Sequence, residues 1–321
     1  MTTPATSPQV SVVIPTRGRP ELVLRAVRSA LVQTLVPHEV IVVVDGPDPA
    51  TCQALSSLPD RRVRVIALET PVGGAEARNV GARAASGDWI ALLDDDDAWL
   101  PAKLSRQLDA AARESEANLV VCQHFLRSDD AEDTVRPRRL PRAGESIPDF
   151  MFDYLCYFQT SSFVVKRWLF LEVPFPTGQA FFQDIDWFLR VNQRPETRLA
   201  IVAEPLAIYY EPRRRATITS KTSWKARLDW GKANRHRMSR KAYSRFVVGS
   251  CAARAVEEGA GLSGLVLLFR ECVVSGSASL TQLILLGGIS VLSPRQRRVW
   301  RDRLFLRRKS MSPMSAVPEK I

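Results

Sequence analysis

The sequence predicts an α/β protein in which a mostly parallel β-sheet is flanked by helices and followed by a helical C-terminal region. Two patterns indicate this fold class. In the first 125 residues, short continuous β-branched runs alternate with segments whose apolar residues recur at helical spacing. Such runs are typical of strands buried on both faces, as in parallel sheets built from right-handed βαβ units. From about residue 213, helical spacing dominates and basic residues become frequent.

The predicted elements follow one another in a regular order. Helices are expected to begin at Pro20 and Pro101, because proline suits the first position of a helix. The polar, proline-rich stretch 127–148 interrupts the alternation and predicts a long loop. The predicted strands are 10–15, 39–45, 63–68, 89–94, 119–125 and 161–166, with one or two closing strands within 199–211. The main predicted helices are 20–33, 73–86, 101–116 and 181–193, the last with Phe182, Ile185, Leu189 and Val191 facing inward.

The composition narrows the classes of function. The chain has 321 residues and a formal net charge of +11, which favours anionic partners such as phosphorylated substrates or an acidic membrane surface. Its five cysteines and three histidines show no metal-ligand spacing, so zinc chemistry and a Ser-His-Asp triad are not expected. Unpaired cysteines, together with residues 1–9 that lack the features of a secretory signal, predict a reducing, cytoplasmic location.

The change in composition predicts a domain boundary near residue 212. Residues 1–212 are expected to form the catalytic domain, and residues 213–321 a basic helical region that contacts an acceptor or a membrane surface. Residues 213–245 contain twelve lysines or arginines and a single acid, Asp229. This imbalance sets the C-terminal region apart from the segment that carries the predicted sheet.

One apolar stretch raises the question of a membrane. Residues 272–294 are uncharged and long enough to span a bilayer, but serine and glycine fill the first half. An amphipathic segment packed on the core or lying on a membrane surface is therefore favoured. The basic run 295–309 would suit the anionic cytoplasmic leaflet, and a solvated basic helix face explains it equally well. We expect at most peripheral contact with the inner face of the plasma membrane.

Polar side chains follow three of the predicted strands. Asp45 ends the second strand, Asp94 ends the fourth, and the segment 15–19 follows the first. In an open parallel sheet, ligands bind in the crevice beyond the carboxyl ends of the strands. The run Asp94–Asp97 would be costly without a cation, and hard divalent ions take carboxylate oxygens together with substrate phosphates. Since EF-hand and dinucleotide-binding spacings are both absent, the pattern predicts Mg²⁺ or Mn²⁺ beside a nucleotide diphosphate.

Residues 9–110 resemble the nucleotide-sugar-binding half of the family 2 glycosyltransferases, which have the GT-A fold. The resemblance lies in VSVVIPTRGRP, EVIVVVDG and PVGGAEARNVGARAASGDWIALLDDDDAWLPAKLSRQL. It implies a D-x-D motif formed by Asp94 and Asp96, in which Asp96 contacts the metal and Asp95 reaches the ribose or sugar. It also implies that Asp45 reads the base, commonly uracil. The other residues implied at the donor nucleotide are Pro15, Thr16, Arg19, Gly73, Gly74, Arg78 and Asn79.

The second half of the chain resembles the family less closely. The segment QDIDWFLR, residues 183–190, matches a helix that carries the catalytic base in the family. The resemblance implies that Asp184 is this base and that Asp186 lies on the acceptor side, as does Gln183, which stands where glutamate is common. Residues 159–162 are expected to help shape the acceptor pocket. Arg213–Arg215 would replace a histidine that the family often places near the diphosphate.

Together these features predict an inverting glycosyltransferase of the hexosyltransferase type. It would move a sugar from a nucleotide-diphosphate sugar, with a UDP-sugar favoured, to a hydroxyl of a glycan or lipid-linked acceptor in cell-envelope or extracellular polysaccharide synthesis. Two alternatives stay open. A sugar-phosphate nucleotidyltransferase usually has a basic glycine-rich loop after its first strand, which PTRGRP matches poorly. A basic, non-catalytic protein that binds nucleic acid or membranes would leave the aspartates unexplained, so nucleic acid is not an expected partner.

Overall fold

The computed structural model describes residues 8–114, 116–128, 131–154, 156–211 and 222–291. The described chain divides into two compact units. The first is drawn from residues 8–140 and 157–211, and the second from 141–156 and 222–291. The second unit thus includes a segment that precedes the predicted boundary in the chain. That boundary near residue 212, Arg213–Arg215 and the basic run 295–309 lie outside the described residues.

A single β-sheet forms the centre of the first unit. In the described part of the chain its strands are β1 (Val10–Thr16), β2 (Glu39–Val44), β3 (Val63–Ala67), β4 (Trp89–Leu92), β5 (Ala98–Trp99), β6 (Leu119–Ser128), β7 (Ala131–Arg136), β8 (Val164–Lys166) and β9 (Leu199–Tyr210). Their order is β3-β2-β1-β4-β8-β6-β9-β5, with β7 paired to β6. Strands β3, β2, β1 and β4 run parallel, and β6 runs parallel to β9, whereas β8 is antiparallel to β4 and β6. The predicted mostly parallel sheet is confirmed.

Helices cover this sheet. In the first unit they are α1 (Pro20–Leu31), α2 (Pro49–Ser56), α3 (Gly74–Ala84), α4 (Lys103–Arg113), α6 (Arg167–Glu172) and α7 (Gln183–Asn192), while α5 (Ile147–Met151) belongs to the second. Helix α1 begins at Pro20 as predicted and buries Val23, Ala26 and Val27 in the same core as β1, β2 and β4. Every residue of β1 and β2 is buried, as expected for strands covered on both faces. This core holds the carboxyl ends of the strands in fixed positions.

Two sequence predictions were wrong in detail. The stretch 127–148, predicted as a loop, begins inside a β-hairpin in which β7 pairs with β6, with Val135 opposite Phe125. Helix α7 leaves Ile185 only half-buried and buries Trp187 and Phe188 instead. The reason is aromatic packing that helical spacing could not show, because Trp187 stacks on Phe175 with ring centroids 5.0 Å apart.

The second unit is helical in its described part. Besides α5 it contains α8 (Trp224–Ala233), α9 (Arg240–Phe246), α10 (Ala253–Glu257), α11 (Gly261–Arg270) and α12 (Leu280–Val291). A π-helical segment, Val247–Ala252, joins α9 to α10, and another, Glu271–Ser275, extends α11. The rings of Phe246 and Trp230 pack with centroids 5.2 Å apart. Within residues 222–291, and elsewhere in the described chain, no helix combines the length and apolar character that crossing a bilayer requires.

Candidate functional site

The sheet order brings the predicted polar residues to one edge of the first unit. Strand β1 lies between β2 and β4, and all three run in the same direction. Thr16 ends β1, Asp45 follows β2 directly, and Asp94 lies two residues beyond β4. The carboxyl ends of parallel strands meet at the same edge of a sheet. Residues far apart in the chain therefore become neighbours here, and Pro15 lies buried in β1 just behind them.

Asp95 is held by the turn that follows β1. The Thr16 hydroxyl donates to Asp95 Oδ2 at 2.7 Å, and Arg19 Nη1 donates to Asp95 Oδ1 at 2.6 Å. Arg19 Nη1 also contacts Asp96 Oδ2 at 3.0 Å. Burial raises the pKa of Asp95 to about 6 and also raises that of Asp96, while the Arg19 guanidinium opposes both increases. Arg19 therefore offsets part of the charge that the adjacent carboxylates build up.

Asp94 and Arg78 form an ion pair at the same edge. Arg78 Nη2 donates to Asp94 Oδ1, and the two side chains are 13% and 23% exposed. The guanidinium also lies over the ring of Phe175, 5.4 Å from its centroid. Its Nε is buried and has no hydrogen-bond partner among the described residues. Arg78 thus combines a fixed position with an unused donor, a property suited to an anionic ligand.

Asp97, which the sequence analysis did not single out, is the most buried of the four aspartates, with no exposed area. Its Oδ2 accepts from Ser161 Oγ at 2.6 Å and from Gln159 Nε2. Ser161 Oγ in turn accepts from the backbone N–H of Asp94 at 3.0 Å. Burial raises the pKa of Asp97 well above its usual range, and the neighbouring carboxylates of Asp94 and Asp96 raise it further. Asp97 therefore anchors the aspartate turn.

These contacts also show what residues 159–162 do in the structure. The sequence predicts that they help to shape an acceptor pocket. Gln159 and Ser161 bind Asp97 and the backbone N–H of Asp94. The carbonyls of Ser161 and Ser162 accept from Trp99 and Gln107. The expected role in an acceptor pocket stays a prediction. The sequence gives no sign of the contact between Gln159 and Asp97, because 62 residues separate the two in the chain and only the fold brings them together.

Asp45 binds the glycine-containing loop before α3. Its two carboxylate oxygens accept from the backbone N–H groups of Val72, at 2.6 Å, and Gly73, at 3.0 Å. Gly73 has a φ of +86°, a backbone conformation that glycine adopts without strain. Gly74 then begins α3. Asp45 thus connects the end of β2 to this loop, and its predicted contact with a base stays a prediction.

Asn79, which the resemblance implies at the donor nucleotide, binds the segment around Phe175, and its predicted place beside the nucleotide stays a prediction. Its amide donates to the carbonyl of Phe175 at 3.0 Å and accepts from the N–H of Phe175 at 2.8 Å. The same side chain contacts Glu76 at 2.9 Å. Asn79 therefore holds the segment whose aromatic ring supports Arg78.

Asp184 lies in the first turn of α7, next to a strained residue. Phe182, which precedes the helix, has a φ of +56° and is the single non-glycine residue of positive φ among the described residues. Such strain clusters at functional sites. Burial raises the pKa of the half-buried Asp184, and the Asp94 carboxylate raises it further, whereas the backbone N–H of Ile185 and the Arg78 guanidinium lower it. Asp184 therefore interacts electrostatically with both members of the Arg78–Asp94 pair.

The two residues predicted beside Asp184 are engaged within their own segment. Gln183 Nε2 donates to the carbonyl of Gln179 at 2.5 Å. Asp186 is buried, and its Oδ1 accepts from Arg190 Nε at 2.8 Å, a contact across one helical turn. Arg190 also donates to the carbonyl of Pro174 at 2.6 Å. Their predicted position on the acceptor side stays a prediction.

Further side chains near the aspartates were missed in the sequence. Arg25 donates to the backbone carbonyl of Asp96 at 2.5 Å, and its guanidinium lies 3.7 Å from the centroid of the Tyr210 ring. Burial raises the pKa values of Tyr157 and Tyr209, and the carboxylate of Asp97 adds to both increases. The buried ring of His124 lies 5.8 Å from that of Tyr157. Arg25 falls within an ordinary amphipathic helix, so its sequence context carries no signal for this role.

The acidic side chains at this edge supply oxygen atoms of the kind that a divalent metal requires. Within the ranges that the structure describes, no group of three or more histidine, cysteine or acidic side chains is arranged to hold an ion. Asp94, Asp95 and Asp96 each form an ion pair at this edge, and the side chain of Asp96 is the most exposed of the three, at 36%. Mg²⁺ is commonly bound through one or two carboxylates, with substrate phosphates supplying other oxygens. The site fits a metal of that kind, bound together with its substrate.

Comparison with known sequences places these residues in a family. Residues 11–184 match the family described as Glycosyl transferase family 2. The amylovoran biosynthesis glycosyltransferase AmsB of Erwinia amylovora is 28% identical over 246 residues, which are 72% of this chain and 79% of that protein. The succinoglycan biosynthesis protein ExoO of Rhizobium meliloti is 42% identical over 104 residues, and the chain spans only 30% of its length.

One further relative carries a detailed name. It is the UDP-Glc:alpha-D-GlcNAc-diphosphoundecaprenol beta-1,3-glucosyltransferase WfgD of Escherichia coli. The identity is 32% over 99 residues, which are 31% of this chain and 39% of that protein. The match is therefore confined to a part of each chain.

Solved structures show the same fold at low identity. The S. aureus TarS fragment 1–349 in complex with UDP-GlcNAc superposes with a TM-score of 0.57 at 15% identity, covering 88% of this chain and 79% of that one. The mannosyltransferase PcManGT from Pyrobaculum calidifontis, in complex with GDP-Man and Mn²⁺, gives 0.53 at 17% identity, covering 94% and 81%. The predicted GT-A fold is thereby confirmed. Because the matched family segment spans more than half of the chain and includes every predicted site residue up to Asp184, the protein belongs to glycosyl transferase family 2.

Proposed function

We propose that this protein transfers a sugar from a nucleotide-diphosphate sugar to an acceptor hydroxyl with inversion at the anomeric carbon, and that a UDP-sugar is the donor. One observation carries the proposal. The Arg78–Asp94 pair and the carboxylates of Asp95 and Asp96 lie together at the carboxyl edge of the sheet, and Asp184 interacts electrostatically with both members of that pair. A displacement of this kind requires a base for the acceptor and charges that stabilise the departing diphosphate, and this edge offers both.

The donor side would use the residues around β1 and α3. Arg19 and Arg78 form ion pairs with these aspartates and suit the diphosphate, while Asp95 suits the ribose or sugar hydroxyls. Asp45, with the loop it binds, suits the base. Both Arg19 and Arg78 are paired with carboxylates, so a bound diphosphate would exchange these partners for its own oxygens. TarS, which shares the fold, is bound to UDP-GlcNAc, and this supports the choice of UDP.

We propose Mg²⁺ or Mn²⁺ as the metal, with Asp96 as its protein ligand. PcManGT, which shares the fold, is described in complex with Mn²⁺. A bound metal would neutralise charge that develops on the leaving diphosphate. Arg19 Nη1 lies 3.0 Å from Asp96 Oδ2, and it would have to leave that oxygen when an ion is coordinated. Asp97 and Ser161 would keep the turn in place during this exchange.

Asp184 would act as the general base. The acceptor oxygen forms a bond to the anomeric carbon while its proton passes to Asp184, and the bond from that carbon to the diphosphate oxygen breaks. The raised pKa of Asp184 makes its carboxylate a better proton acceptor than an exposed aspartate. Such a base contributes about 10²- to 10⁴-fold to the rate. The strained backbone at Phe182 would fix its direction.

We further propose a lipid-linked glycan as the acceptor, at the cytoplasmic face of the membrane. The relatives AmsB and ExoO are named for polysaccharide biosynthesis, and WfgD for a substrate linked to diphosphoundecaprenol. The basic excess in the C-terminal part of the chain agrees with an acceptor that carries phosphate. The division into a catalytic part up to 212 and an acceptor- or membrane-contacting part beyond it belongs to the same proposal.

Thermal unfolding tests the donor site directly. The purified protein is heated with UDP, GDP, dTDP, CDP or ADP, each with and without Mn²⁺. We expect UDP with Mn²⁺ to raise the midpoint by several degrees, because a ligand at about 100 times its Kd adds ~2.7 kcal/mol to the free energy of unfolding. The Asp96→Ala variant should lose the metal-dependent part, and Asp60→Ala, whose carboxylate pairs with Arg62 within its own loop, should keep it. A folded protein that responds to none of the nucleotides would refute the proposed donor site.

A further inference from the structure

Helix α11 and its π-helical extension expose an apolar face. Leu262, Val266, Phe269 and Val273 recur at spacings of four, three and four residues, and they are 78%, 57%, 50% and 42% exposed. The opposite side of the helix buries Gly264, Leu268 and Cys272. Helices at the surface of a globular protein normally turn charged and polar residues outward. This helix instead exposes apolar residues and is apolar on its buried side as well.

The exposed apolar area continues beyond this row. Val274 is 63% exposed, and on α12, which packs against α11, Leu280 and Ile284 are 74% and 43% exposed. We call these seven side chains the apolar surface: Leu262, Val266, Phe269, Val273, Val274, Leu280 and Ile284. Exposed apolar side chains in such numbers are typical of surfaces that interact with another protein or with a membrane.

Cations surround one end of the apolar surface. Arg235 donates to the carbonyl of Ser275, and Arg240 donates to the carbonyls of Val274 and Gly276 at 3.1 and 2.9 Å. Both arginines are exposed, and Arg270, also exposed, directly follows Phe269 in the chain. Residues 222–291 contain ten lysines or arginines against four acids. The apolar surface therefore has a positively charged border.

We propose that the apolar surface docks on a bilayer that contains anionic lipid. Its aliphatic and aromatic side chains would enter the boundary of headgroups and acyl chains, and the three arginines would lie at the level of the phosphates. A second copy of this chain fits less well, because a symmetric contact would bring Arg270 and its neighbours close to their own charges. The proposal rests on the proposed function, since a lipid-linked acceptor would lie at the same membrane.

Vesicle sedimentation of the full chain tests this surface. The protein is mixed with vesicles of phosphatidylcholine and phosphatidylglycerol, or of phosphatidylcholine alone, without nucleotide. We expect binding that is at least ~10-fold tighter on the anionic vesicles, and a loss of about fivefold in Arg270→Gln. The double variant Val266→Asn with Phe269→Asn should bind at least ~10-fold more weakly than the wild type. Its matched control is Val32→Asn with Val36→Asn, which removes two side chains of similar exposure from the first unit, and this control should bind like the wild type.

Several results would overturn the proposal. They are wild-type protein that stays in the supernatant, equal binding to both vesicle types, and equal binding by the two double variants. A wild-type dimer in sedimentation velocity that Val266→Asn with Phe269→Asn converts to a monomer would assign the surface to a second copy instead. The response of the same samples to UDP and Mn²⁺ separates the two proposals. Vesicle binding without a nucleotide response would support the membrane-docking surface and count against the donor site. A nucleotide response without vesicle binding would support the donor site and count against the docking surface.

Discussion

Replacing Lys103 with methionine should stabilise the protein at neutral pH. Lys103 is the first residue of α4 and has no exposed area. Its Nζ has no hydrogen-bond partner in the described part of the chain, and it lies 4.0 Å from the centroid of the Trp99 ring. Burial lowers the pKa of Lys103 from 10.5 to about 8, because the charged form loses its hydration. The aromatic face offsets only a part of that loss.

The pKa gives the size of the effect. The interval between about 8 and 10.5 corresponds to ~3 kcal/mol. Between these two values the unfolded state binds more protons than the folded state, so the free energy of unfolding rises with pH across this window. Below pH 8 the full penalty is present. Methionine has a similar length and no charge, so Lys103→Met should gain up to ~3 kcal/mol at pH 7, with a gain that shrinks as the pH approaches 10.5.

Urea denaturation of both proteins at several pH values between 7 and 10 measures this difference. Cysteine ionisation also affects stability here, since burial raises the pKa of the adjacent Cys122 to about 11, but it is common to both proteins and largely cancels in the comparison. Lys166 provides a matched control, because its Nζ lies 4.3 Å from the centroid of the Trp89 ring while the residue is only half-buried. Lys166→Met should show no such gain. A Lys103→Met variant that is less stable than the wild type at pH 7, or a gain that does not depend on pH, would refute the reasoning.

Three further changes test other parts of the structure. Asp184→Asn should lower the rate of sugar transfer by about 10²- to 10⁴-fold and leave nucleotide binding nearly intact in a thermal-shift assay, so an equal loss of binding would contradict its role as base. Gly81→Ala should cost about 1–3 kcal/mol in urea denaturation, because the added Cβ would lie 2.4 Å from Val13 Cγ1, whereas Gly287→Ala, with open space around the new atom, should not be destabilising. Ser161→Ala should lower the free energy of unfolding by about 1–3 kcal/mol and weaken nucleotide binding, because Asp97 and the Asp94 N–H lose a shared hydrogen-bond partner. Normal nucleotide binding in this variant would show that the turn does not depend on Ser161.

Much of the first unit could be predicted from the sequence because its signals are local. Strands β1, β2 and β4 consist of β-branched and apolar runs, and their burial on both faces follows from that pattern. The carboxyl ends of such strands share one edge, so the sequence alone assigns Thr16, Asp45 and Asp94 to one crevice. The hairpin of β6 and β7 could not be predicted, because its polar strand β7 has the composition of a loop and is fixed only by pairing with its neighbour.

The sequence by itself determined the family, the fold class and the identity of the residues at the carboxyl edge, because motif spacing and strand patterning are properties of short segments. The tertiary structure decided which groups act on one another. Asp97 is fixed in place only because Gln159 and Ser161 fold against it. Asn79 binds the backbone of Phe175, which is 96 residues away in the chain. Lys103 carries an unfavourable buried charge only because the fold buries it beside the ring of Trp99. The exposed apolar face of α11 likewise depends on which side of the helix is packed. Burial and long-range contact depend on how distant segments meet, and local patterns do not contain that information.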